Sequence, residues 1–232
     1  MENQIKIDYN LEFIKDYRKI RQVEDNPKIL LHVCCGACSC YPLTFLLDLF
    51  DITILYTNSN IYPEEEYDKR YETLKYYVSY LNDKFNKNIK LIKDSYDYTN
   101  FKKNLTPFKD EREGGLRCEI CIKKRMQTLF NYAKEAGFAY VSTVMSVSRN
   151  KNAVYINKVG KELEKDYEGI KFLTFDFKKN NGQLIGINIS KKLNIYRQDY
   201  CGCEYSIYKQ FEEWKRSLFS YNNYQNQEEV KQ

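Results

Sequence analysis

A single histidine, His32, stands in 232 residues, and chemistry that needs two imidazoles is excluded at once. No Gly-x-Gly-x-x-Gly fingerprint and no Walker lysine loop is present, so the common signatures of dinucleotide and nucleoside-triphosphate binding are missing. The Ser-Gly-Gly-x-Asp-Ser type loop of ATP-pyrophosphatase tRNA thiolases is absent too. No apolar run approaches the ~20 residues of a membrane span, and the amino terminus is polar and mixed in charge, unlike a signal peptide. Charge of one sign is also scarce. With 37 basic against 32 acidic residues the net +5 permits a polyanionic partner without demanding one. These absences predict a soluble, cytoplasmic chain with no membrane partner.

What is present is the composition of a globular protein, with 43% hydrophobic and 30% charged residues. The length suits one large domain, placed at 28–220, with a helical amino-terminal extension at 1–27 and a frayed polar tail at 221–232. The 22 tyrosines suit core edges with wet hydroxyls, or stacking on nucleobases. Eight cysteines gathered into Cys34-Cys35-x-x-Cys38, Cys118-x-x-Cys121 and Cys201-x-Cys203, in a reducing cytoplasm, read as metal or redox ligands rather than disulfides.

The chain is organised around Leu30 to Cys38. An apolar run from Ile29 to Val33 reads as a buried strand, and Gly36 breaks it just before Ser39, which caps a helix running to Phe50. A strand at 51–56, a helix through Tyr67, Leu74, Val78 and Leu81, and a strand at 88–92 follow. The acids Glu64 to Glu66 suit that helix's amino terminus. From Asp94 to Arg117 periodicity fails, giving a long basic loop that either contacts substrate or is a solvated insertion. Cys118 and Cys121 then open a helix, where the dipole and Arg117, Lys123 and Lys124 favour thiolate. A strand at 140–145, a loop from Ser146 to Lys151, a helix from about 152 to 167 and a strand at 170–177 continue the pattern. A polar stretch leads to Cys201-Gly202-Cys203, where glycine lets both sulfurs face one point. A last helix carries Ile207, Phe211, Trp214 and Leu218. The alternation predicts an α/β fold: a Rossmann-like, doubly wound, mostly parallel sheet flanked by helices, with the cysteines at the carboxyl ends of its strands.

Three distant cysteine clusters, each at a turn beside an element end, are expected to converge on one pocket. Seven sulfurs exceed the four that a tetrahedral zinc needs, so a cluster plus a second metal or a redox dithiol fits the count better. Cys40 reads as a small buried residue, and His32 as a satisfied structural histidine.

From Leu30 to Ser206 the sequence resembles the QueH-type, cobalamin-independent epoxyqueuosine reductases. The resemblance is carried by Leu31-His32-Val33-Cys34-Cys35-Gly36-Ala37-Cys38-Ser39, by Arg117-Cys118-Glu119-Ile120-Cys121 with Arg125, by Met145-Ser146-Val147-Ser148 with Lys151, Asn157 and Gly160, and by Tyr196-Arg197-Gln198-Asp199-Tyr200-Cys201-Gly202-Cys203. It implies a 4Fe–4S cluster with an additional iron, and reductive removal of the epoxide oxygen of epoxyqueuosine in tRNA to give queuosine. Metal ligands would come from Cys34, Cys35, Cys38, Cys118, Cys121, Cys201 and Cys203, and the redox-active thiols from Cys34, Cys35, Cys38, Cys201 and Cys203. Ser146, Ser148, Asn150, Lys151, Arg197 and Tyr200 are the candidate substrate-binding residues, and an external low-potential donor supplies the electrons.

Two positions depart from the family: Ala37 stands where proline is usual, and Arg149-Asn150 where Pro-His is frequent. Asparagine can hydrogen-bond there but cannot titrate. Some relatives carry aspartate at Cys38, which suits a metal position open to oxygen or sulfur. Two other readings remain open: a zinc- or cluster-stabilised tRNA-binding module, and a thiol–disulfide oxidoreductase.

Overall fold

The apolar run at 29–33 forms the centre of a five-stranded parallel sheet. The computed structural model describes residues 7–207. Its strands are β1 (Lys28–His32), β2 (Asp51–Tyr56), β3 (Lys90–Lys93), β4 (Tyr140–Thr143) and β5 (Lys171–Phe172), in the spatial order β3-β2-β1-β4-β5. The helices are α1 (Tyr9–Ile20), α2 (Gly36–Leu46), α3 (Glu64–Phe85), α4 (Tyr98–Lys103), α5 (Leu116–Ala136), α6 (Ala153–Glu164) and α7 (Gly182–Lys192).

Strand alternation splits the core into two layers. Ile29, Leu31, Ile52 and Ile54 pack with Phe13 of α1, Leu43 and Leu46 of α2, and Leu74 and Leu81 of α3. Leu30, Leu55 and Val141 face the other way, onto Met126 and Leu129 of α5 and Ile156 and Val159 of α6. A parallel sheet covered on both faces is the doubly wound arrangement. The chain leaves β1 through α2 towards β2 and leaves β4 through α6 towards β5, on opposite sides. The crevice between the carboxyl ends of β1 and β4 is therefore the topological switch point, where ligands bind in open α/β sheets.

Several elements differ from the sequence expectation. Helix α2 begins at Gly36, with Cys35 rather than Ser39 at the cap and its Sγ accepting the Cys38 N–H at 3.3 Å; the Ser39 hydroxyl instead donates back to Gly36 O. The basic stretch at 94–117 is not a bare loop: it holds α4 and a 3-10 turn at Thr106–Phe108, seated by the buried Phe101 and Leu105. Strand β4 stops at Thr143 because a buried 3-10 turn, Val144–Val147, continues its apolar run. Only Lys171–Phe172 of the predicted fifth strand joins the ladder. The polar stretch after Asn181 is helix α7.

Tyrosine serves the core edge, as in Tyr56, whose buried hydroxyl donates to Tyr67 O at 2.7 Å while the two rings pack 4.9 Å apart. The last predicted helix begins at Glu204. Its remainder, with Phe211, Trp214 and Leu218, and the tail at 221–232 lie outside the described residues. No helix among the described residues is long and apolar enough to cross a membrane.

Candidate metal centre at the switch point

Cys34 and Cys35 leave the end of β1, and Cys38 sits in the first turn of α2. Their three sulfurs all lie within 4.8 Å of one another. Gly36 is required by close approach: a Cβ there would stand 2.9 Å from Thr73 Cγ2 and 3.0 Å from Thr73 O of α3. The Gln198 amide donates to Cys35 Sγ at 3.0 Å and lies 3.6 Å from Cys38 Sγ. Hydrogen bonds from Cys35 and Cys38 hold Cys34 well below the usual thiol range, helped by Lys151 and Arg125. Burial and the neighbouring Cys34 push Cys35 up, and Cys34 pushes Cys38 up to about 12.

The second sulfur set is Cys118 and Cys121 on α5 with Cys201 and Cys203 on the strap that follows α7, all lining one cavity. The strap is held by Arg70, which is 1% exposed. Its Nε donates to Glu66 at 2.6 Å, Nη1 to Cys201 O at 3.1 Å and Nη2 to Tyr200 O at 3.2 Å. Gly202 takes φ +118 between the two cysteines, the region that favours glycine, with its Cα side facing Arg70. The expectation that the α5 amino terminus makes Cys118 and Cys121 thiolates is reversed by burial, which raises Cys118 and pushes Cys121 up to about 11 and Cys203 up to about 12. The Arg117 charge does lower Cys118, as expected, but burial outweighs it; its guanidinium donates to the carbonyls of Phe108, Lys109 and Glu111 and packs over Tyr205.

Behind the thiols lies a polar chain. Arg125 Nη2 donates to Asn58 Oδ1 at 2.6 Å and lies 3.1 Å from His32 Nε2, while His32 Nδ1 lies 2.8 Å from Thr143 Oγ1. Burial and the Arg125 charge lower His32 to about 3, so it is a neutral structural histidine, as expected from the sequence. Cys40 is buried and donates to Gly36 O, outside both sulfur sets.

Of the predicted substrate residues, Ser148, Asn150, Lys151, Arg197 and Tyr200 line a polar pocket together with Cys34, Cys38 and Gln198. Asn150, Lys151 and Cys201 also border the four-cysteine cavity, so they form the wall between the two spaces. Ser146 is placed elsewhere: it is buried, its Oγ accepts the Phe177 N–H, and its carbonyl accepts Lys178 Nζ at 2.9 Å, so it supports the loop from behind. Asn150 donates to Glu113 at 3.2 Å. Arg70 and Asn58 were not singled out by sequence, although Glu66 and Arg70 stand at the i, i+4 spacing of a helical ion pair, and Gln198 entered only as part of the motif at 196–203.

The fold and these thiols define a class: a doubly wound α/β protein whose switch-point crevice is built from cysteine. The sequence model of the family described as epoxyqueuosine reductase QueH matches residues 29–209. Relatives of that name include one from Staphylococcus aureus (strain Mu50 / ATCC 700699), 38% identical over 212 residues, 90% of this chain and 88% of its own. Another, from Staphylococcus epidermidis, is 37% identical over 93% of this chain and 91% of its own. A third, from Thermotoga maritima, is 34% identical over 77% and 90%. The chain belongs to the QueH family.

Proposed function

We propose that this chain is an epoxyqueuosine reductase acting on tRNA in the cytoplasm, with a thiolate-bound iron–sulfur centre. The observation that carries this reading is the meeting of three distant cysteine motifs at one crevice, with Cys201, Asn150 and Lys151 common to both spaces. Membership in a family whose relatives bear that name supports it.

The donor set suits such a group. Four thiols, Cys118, Cys121, Cys201 and Cys203, would hold a 4Fe–4S cluster, and Cys34, Cys35 and Cys38 an additional iron. Arg125 and Lys151 border the four-cysteine cavity without an ion pair to any carboxylate among the described residues, and the buried Arg125 Nε has no hydrogen-bond partner. Positive charge at the cavity wall, with Arg125 buried and no carboxylate opposing it, is what an anionic cluster needs around it. When bound, the cluster would supply electrons one at a time and the adjacent iron a Lewis-acid contact for an oxygen atom.

The reaction converts an epoxide to an alkene, takes up two electrons and two protons, and releases the oxygen as water. Lys151, at the wall between the spaces, would donate a hydrogen bond to the departing oxygen. Ser148 and Asn150 would orient the modified base, Tyr200 would stack on it, and Arg197 would meet the phosphates at the exposed rim. The electrons would come from an external low-potential donor. In the basic stretch at 94–117, Lys102 is paired with Glu204 at 2.6 Å, so the exposed Arg149 and Arg197 at the pocket are the better candidates to meet RNA.

The test is anaerobic purification with absorption spectra and iron, sulfide and zinc analysis, followed by incubation of epoxyqueuosine-containing tRNA with a chemical reductant and nucleoside analysis. A brown protein with several irons per chain and queuosine as product is expected. A colourless protein holding about one zinc and making no queuosine would favour the tRNA-binding module and overturn the reading.

A further inference from the structure

We infer that Arg125 is a positioning residue that sets the reduction potential of the four-cysteine centre, acting as a fixed buried positive charge fastened beside the sulfurs by Asn58 and His32. This rests on the reading of that site as an iron–sulfur centre. Arg125 lies one helical turn after Cys121 on α5 and is 2% exposed. Buried arginines are ordinarily matched by carboxylates. Here the partners are neutral: Asn58 Oδ1 at 2.6 Å, and His32 Nε2 at 3.1 Å, a nitrogen that accepts while Nδ1 meets Thr143 Oγ1. Asn58 is itself fixed by donating to Val33 O at 2.8 Å. Arg125 Nε is buried with no partner at all. Two direct contacts, backed by the ties of Asn58 to Val33 and of His32 to Thr143, thus hold the cation, and none of them comes from a carboxylate; its charge reaches Cys121 and Cys34.

A fixed positive charge with no carboxylate partner favours the more negative, reduced state of a thiolate-bound centre. Removing or neutralising it should therefore lower the midpoint potential. The protein, loaded anaerobically with iron and sulfide, is titrated electrochemically as the parent and as Arg125→Gln, Arg125→Lys and Asn58→Asp, with iron and sulfide measured for each. Asn58→Asp puts a carboxylate onto the Arg125 guanidinium without removing it, at the loss of the donation to Val33 O. Arg125→Gln and Asn58→Asp are both expected to keep their iron and to shift the one-electron equilibrium towards the oxidised form by at least about tenfold, about 59 mV. Arg125→Lys should stay near the parent. Unchanged midpoints in Arg125→Gln, or in Asn58→Asp if only that variant holds its cluster, overturn the inference. Loss of iron from both variants also overturns it, because Arg125 would then be needed to build the site. A parent protein that takes up no iron and sulfide overturns the underlying reading instead.

Discussion

Replacing Arg70 with methionine should unfasten the strap that carries Cys201 and Cys203. The Arg70 and Glu66 side chains are 1% and 11% exposed and 2.6 Å apart. Removing one partner of a buried pair costs about 3–5 kcal/mol, chiefly because the other charge is left uncompensated. Glu66 keeps some water and accepts the Tyr196 hydroxyl at 3.0 and 3.2 Å, which places the loss near the lower end, about 3 kcal/mol. In urea denaturation, with a slope of about 2–3 kcal/mol/M, the midpoint should fall by about 1–1.5 M. Stability and strap can be separated. The double variant Glu66→Gln/Arg70→Met removes the orphaned charge and should recover part of the stability, yet Cys201 O and Tyr200 O still lack their donor, so iron per chain should stay low. A single Arg70→Met variant within about 0.5 kcal/mol of the parent and with parental iron content would refute the reasoning.

Gly202→Ala should cost about 1–3 kcal/mol, because φ is +118 and the new Cβ would stand 2.9 Å from Arg70 Nη1; thermal melting and iron analysis check it, and an unchanged melting temperature would count against strain at the strap. Metal loading should strengthen with pH: burial pushes Cys121 up to about 11 and Cys203 up to about 12, so both are protonated near neutrality and a bound metal must expel their protons. Chelator competition at several pH values should show affinity falling as pH falls, and a pH-independent affinity would contradict the protonated set. Asn150→Ala should raise KM for epoxyqueuosine-tRNA with little change in kcat or in the absorption spectrum, since one neutral hydrogen bond is worth about 0.5–1.5 kcal/mol, or about two- to tenfold in kcat/KM. Steady-state kinetics decides, and a lost cluster band would show that Asn150 serves the metal rather than the substrate.

The strands β1 and β2 and the helices α3, α5 and α6 were legible because apolar residues recur at the spacing of the face they bury. Helix α7 was not: its buried face is Gly182, Gly186 and Ser190, while Leu184 and Ile185 point outward, so packing against α2 through small residues left no apolar stripe to read. Strand β4 was read too long because Val144 and Met145 are buried in a turn as deeply as they would be in a strand. In the site, cysteine spacing carried the message. The direction of the Cys118 and Cys121 shifts did not follow from it, since a helix amino terminus is local and visible in sequence whereas desolvation depends on what the strap lays over it. Arg70 and Asn58 act across long separations, which no local pattern encodes; Arg125 stands in the Cys118–Cys121 motif, but its ties to Asn58 and His32 are just as remote. Ser146 was drawn towards substrate by its place in a motif, yet the Phe177 amide and Lys178 claim it.

The Arg70 tie has a consequence for biosynthesis. Its two strap contacts join residues 131 and 130 positions apart, so at about 5–20 residues per second a ribosome needs on the order of ten seconds to deliver the strap after Arg70 has emerged. During that interval β1, β2 and α3 can already associate, and Cys34, Cys35 and Cys38 stand at the open edge of a half-built crevice, without the Gln198 amide that later covers them. On that timing, the full set of seven thiols is complete only once the strap has been made, and a metal that needs all of them can be loaded only after that.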